Sequence, residues 1–97
     1  MPSVEKTSVE GAVRTGQKTA DTTASKVCEV NHAVRGILIV ADESNGAQIY
    51  VGGDAGVTNQ NGMPISAGKG LFIEVADPSS LYVVTQAGSL TLSWMVL

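Results

Sequence analysis

Cysteine and histidine are almost missing from this chain: Cys28 and His32 stand alone among 97 residues. One cysteine excludes an internal disulfide, and two such side chains do not close a four-ligand metal site. Aromatics are as scarce, with only Tyr50, Phe72, Tyr82 and Trp94, so the core has to be aliphatic. Positive charge is also short. Six Lys and Arg face nine Asp and Glu, a net charge of −3. With no basic stripe to displace counterions from phosphates, nucleic acid is not an expected partner. No apolar run approaches the roughly 18 residues of a membrane-spanning helix. The opening MPSVEKTSVEG holds no hydrophobic segment of the signal-peptide kind. Synthesis in a cytoplasm, with no membrane partner, is the expectation.

What remains is a chain with 43% hydrophobic residues, enough for a folded domain rather than a disordered one. A domain of this size buries only about 60–65% of the surface of its unfolded chain, so its own core leaves it marginal. Self-association or docking on a partner is the expected source of further stability. The charge is also uneven. Residues 1–35 carry five basic and four acidic side chains, and residues 36–97 carry one basic and five acidic, which reads as ordinary scatter among few charges before it reads as a weakly basic arm and an acidic body.

Apolar positions alternate with period two or run in short blocks between turn residues, and nothing shows the spacing of a helix. Residues 1–8 have neither pattern and read as a flexible N-terminal arm, leaving 9–97 as the β-domain. Val9, Gly11 and Val13 suggest a first strand, Thr15 to Ser25 a turn or an exposed edge, and Val27 to Val30 a second strand. Val34 to Ala41 is the most hydrophobic strand, with Ile37 and Ile39 on one face and Leu38 and Val40 on the other, so both faces call for cover. Asp42 to Gly46 is a turn built on Asn45-Gly46, and Ala47 to Gly52 returns from it as a hairpin partner. After a long polar loop closed by Asn61-Gly62, Pro64 limits Met63 to Ser66 to an edge. Gly68 sits in the next turn, Leu71, Ile73 and Val75 share a strand face, and Asp77-Pro78 starts another turn. Leu81 to Thr85 and Leu90 to Leu97 complete about seven antiparallel strands. The expected fold is all-β, a single small β-sandwich or jelly-roll-like barrel.

Signals of chemistry are weak throughout. Gly68-Lys69 is the only Gly-Lys pair, but Met63 stands where a phosphate-binding loop needs its first glycine and Gly70 where it needs Ser or Thr. Asp42 to Gly46 lacks the second acidic or amide ligand and the closing Glu of a calcium loop. Cys28 and His32 are four apart, which brings ligands together on a helix but not in a strand and turn. There is no Gly-x-Ser-x-Gly elbow, and Trp94 falls on the apolar face of the last strand as a core residue. No catalytic, cofactor or metal residues are assigned, and an enzyme is not expected.

One pattern is more specific. Gln48-Ile49-Tyr50-Val51-Gly52-Gly53, then Val57-Thr58, then Asn61-Gly62-Met63-Pro64-Ile65, then Ala67-Gly68 and Leu71, resembles the small β-domains of tailed-bacteriophage structural proteins. These serve as capsid decoration (cement) proteins and occur in head fibres and tails. The resemblance covers about residues 9–97 and rests on fold residues: Asn45, Gly46, Gly52, Gly53, Asn61, Gly62, Pro64 and Gly68. Asp54-Ala55-Gly56 makes the loop about one residue longer than the usual spacing. The resemblance implies a non-enzymatic virion protein on the capsid surface, made in the host cytoplasm, with the major capsid protein as partner. Its copies are expected to assemble as a homotrimer, with Val4, Glu5, Lys6, Ile37 and Ile39 as candidate interface residues. The alternative is a tail or fibre module that binds a host receptor or carbohydrate, for which the loops supply no aromatic residues. A generic adaptor is a third possibility, set aside on the resemblance alone.

Overall fold

The computed structural model describes residues 13–97. The expected arm (1–8), with Val4, Glu5 and Lys6, and most of the expected first strand lie outside the described residues. The alternation in the sequence becomes eight strands among those described: β1 (Arg14–Ala20), β2 (Ser25–Lys26), β3 (Ile37–Ala41), β4 (Ile49–Gly52), β5 (Met63–Ile65), β6 (Gly70–Ile73), β7 (Tyr82–Thr85) and β8 (Leu90–Val96). A single turn of 3-10 helix (Pro78–Ser80) interrupts them, started as expected by Asp77, whose carboxylate accepts from the Ser79 backbone at 3.0 Å and the Ser79 hydroxyl at 2.6 Å.

The pairing is nested. β4 pairs with β5, β3 with β6, β2 with β7 and β1 with β8, all antiparallel. The two halves of the chain thus run side by side as one long hairpin. Rolling that hairpin up sets β8 beside β3 and β7 beside β4. The result is two four-stranded sheets, ordered β1-β8-β3-β6 and β2-β7-β4-β5, which is jelly-roll connectivity.

This topology corrects two local expectations and decides a third. β3 and β4 are not a hairpin, because they belong to different sheets. Asn45 is not there for a left-handed turn either: its side-chain amide donates to the Thr91 carbonyl at 2.9 Å and its side-chain oxygen accepts from the Thr91 amide at 3.1 Å. The side chain thereby stands in for a strand residue, continuing the β3–β8 ladder while the main chain leaves for the second sheet. The choice between a turn and an exposed edge for Thr15 to Ser25 falls on the edge over its first part, where β1 is an edge strand of seven residues. Its polar composition hides the alternation, for Gly16, Lys18 and Ala20 are more buried than Thr15, Gln17 and Thr19. The second correction is that Val27 to Val30 is not a strand. Val27 and Cys28 are adjacent and both buried, which a regular strand cannot arrange because neighbours point to opposite faces.

The core between the sheets is aliphatic, as the scarcity of aromatics requires. Ile37, Ile39, Ile49, Leu92, Val83 and Val96 are at most 1% exposed, and each such burial contributes about 1.5–3 kcal/mol. The glycine-rich pattern has a packing explanation. A Cβ on Gly52 would lie 2.6 Å from the Val57 side chain, and one on Gly62 would lie 2.8 Å from it. Two bare backbones therefore form the notch in which Val57 is buried. Asp54 closes the longer loop: its carboxylate accepts from the Gly56 amide at 2.8 Å and its carbonyl from the Val57 amide at 3.3 Å. Pro64 sits on β5, an edge, where its missing N–H costs the sheet nothing.

Candidate functional site

The parity of β3 decides which of its residues can meet a partner. Ile37 and Ile39, the candidate interface residues of this strand, are fully buried between the sheets. They cannot reach a partner in the folded domain. Leu38 and Val40 take the outer face instead and are only half-buried. Both faces of the strand are apolar, so the sequence pattern does not tell which is inside. The register does: β8 opposes Ile39 with Trp94 and Val40 with Ser93, and Ser93 is exposed.

Following that register across the sheet gives the outer surface row by row. Thr15, Met95, Leu38 and Phe72 stand side by side on four strands. In the next row are Gln17, Ser93, Val40 and Gly70. The first row is an apolar band, with Phe72 42% exposed. Ser93 is too short to level the second row, which leaves a hollow of about 340 Å³ walled by Leu38, Val40, Met95 and Gln17. Sheet faces turned to water normally carry polar side chains at alternate positions; this band departs from that.

A second depression, about 610 Å³, opens at the mouth of the sandwich between the edges of β1 and β2. Arg14, Lys18 and Lys26 line it together with Asn31, Cys28 and Trp94. Trp94 packs against the core as expected, and it also lines this groove.

The remaining sequence candidates fall apart from one another. Among the described residues, no three His, Cys, Asp or Glu side chains come together as a metal site. His32 is exposed and Cys28 is buried. Asp42 accepts from both the backbone amide and the hydroxyl of Ser44, which holds its carboxyl below the usual carboxylate range. Gly68-Lys69 makes an ordinary turn, with the Gly68 amide on the Ala41 carbonyl and the Lys69 amide on the Ser66 carbonyl, both at 2.9 Å.

Burial pushes the Cys28 thiol above its ordinary range; the Val30 carbonyl it faces at 3.9 Å works the other way, and the charges of Glu29 and Asp77 add to the rise. Native protein at pH 8 is therefore expected to resist alkylation by iodoacetamide, and denatured protein to react fully. Equal labelling rates in the two states would show that residues 27–30 do not pack as described.

No family model, curated protein or solved structure matches this chain.

Proposed function

We propose that this chain is a structural protein of a tailed-phage virion, seated on the capsid surface against major capsid subunits and assembled there as a homotrimer. The observation that carries the reading is the apolar band of Leu38, Met95 and Phe72 across the outer face of a four-stranded sheet. In this reading the band is where copies of the chain meet. A strip one row deep is far smaller than the roughly 800 Å² per partner of a stable complex. It works where a symmetric lattice already holds the copies in place and many weak contacts act together. The resemblance of residues 48–71 to phage decoration domains supports the same assignment, and the packing of Val57 between Gly52 and Gly62 makes that motif a fold device rather than a reactive one. The work is done by contact, with no catalysis, cofactor, nucleic acid or membrane.

Cosedimentation with purified, undecorated phage shells tests the reading. Wild-type protein is expected to saturate the shells at a fixed ratio to capsid subunits. Leu38→Glu, which places a charge in the middle of the band, is expected to lower retention by about tenfold or more, while circular dichroism shows the variant still folded at the temperature of the assay. Wild-type protein that stays in the supernatant, or a Leu38→Glu variant retained as well as wild type, would count against the proposal.

A further inference from the structure

Half of the Lys and Arg side chains of this chain lie together. Of its six Lys and Arg residues, Arg14, Lys18 and Lys26 line the single groove at the mouth of the sandwich. One wall of that groove is β1, seven residues long and about 23 Å in extent. It pairs with β8 on one side, and no strand pairs with its other side among the described residues. The facing edge, β2, is only two residues long.

Strand parity then sets the pattern inside. Arg14, Gly16 and Lys18 share the face turned toward the other sheet, Lys18 half-buried and Arg14 exposed at the rim, with the two cations about 13 Å apart along the strand. Between them Gly16 leaves room for an aromatic floor: a Cβ at that position would lie 2.5 Å from the Trp94 ring. The wall therefore reads cation, aromatic, cation at the pitch of an extended chain. Lys26 adds charge from the opposite edge, and Asn31 adds a hydrogen-bonding side chain. Glu29 is the one acid lining the groove, and it is exposed.

We infer that this mouth captures an extended acidic segment of a partner protein, which adds as a strand to the edge of β1. Its backbone hydrogen-bonds to the edge of β1 that no described strand pairs with, and its alternate side chains present carboxylate, apolar group and carboxylate to Lys18, Trp94 and Arg14 in antiparallel order. Main-chain pairing supplies affinity in this mode and the alternate side chains supply selectivity. The competing role for the same residues is defensive, since inward-pointing charges on an edge strand deter pairing. That role predicts no capture at all.

Trp94 is the only tryptophan, so its fluorescence reports on the groove directly. The full chain is titrated with a seven-residue peptide that has threonine at alternate positions and glutamate, leucine and glutamate between them. A saturable change is expected, weakened about tenfold or more in the Arg14→Glu, Lys18→Glu double variant. Lys18→Gln is expected to bind at an intermediate level, and circular dichroism checks that each variant is folded. N-methylation of alternate peptide amides, which keeps the charge and removes the strand hydrogen bonds, is expected to weaken binding to a similar degree. No saturable change with the parent peptide overturns the inference. Equal binding of the methylated peptide, or an equal response to polygalacturonate, overturns it too, because the groove would then be a general polyanion site without strand addition.

Discussion

Gly36→Ala is expected to cost the domain about 4 kcal/mol or more, a large part of the roughly 5–15 kcal/mol available to a small protein. Gly36 is buried at a φ of +153°, where L side chains are strained. A Cβ there would collide with the carbonyl oxygen of Ile73 and lie 3.0 Å from the Cα of Glu74. Both are backbone atoms, so no rotamer change relieves the contact. The backbone of Gly36 cannot move away easily either. Its amide donates to the Leu97 carbonyl at 3.1 Å and its carbonyl accepts from the Leu97 amide at 2.8 Å, which extends the β3–β8 ladder. Urea unfolding of the variant should show a midpoint far below wild type, or no folded baseline. A loss under about 1 kcal/mol would mean that β3 does not enter the sheet in this way.

The second large effect separates the two faces of β3. Ile39→Ala is expected to lose about 3 kcal/mol, because Ile39 is fully buried between the sheets on a strand paired on both sides and its removal leaves a cavity. For a domain of this size that loss lowers the melting temperature by roughly 12–24 °C. Leu38→Ala, one residue away on the outer face, is expected to lose about 1 kcal/mol, clearly less than Ile39→Ala, since the side chain is only half-buried and its removal leaves no enclosed cavity. Thermal unfolding of the two variants side by side reads the difference. The reverse order would show that the inner and outer faces of β3 are exchanged, and would remove the apolar band with it.

These two residues also mark how far the sequence can be read. Period-two alternation around Leu71, Ile73 and Leu92, with the Asp77-Pro78 turn and the edge proline Pro64, was enough for an all-β sandwich. It was not enough for the topology. A local rule treats Asn45-Gly46 as a hairpin turn, but Asn45 is bound to Thr91, 46 residues away, and only the rolled pairing of the whole chain explains it. The same limit hid the outer band. Ile37–Ala41 is apolar at every position, so choosing between its faces requires knowing that β8 lies beside it and sets exposed Ser93 against Val40. The mouth groove was harder still. Arg14, Lys18 and Lys26 look like scattered charges until β1 and β2 are placed on the same side of the sandwich, and Gly16 carries meaning only as the space beneath Trp94.

As proposed, this jelly roll sits on a shell as a trimer whose outer bands meet around the threefold axis. The most direct measurement is an electron cryomicroscopy reconstruction of phage shells saturated with the protein. The account predicts three copies around each occupied local threefold position, with Leu38, Met95 and Phe72 turned toward neighbouring copies and away from solvent. Shells without added density, or isolated copies whose Leu38 face is open to solvent, would contradict it.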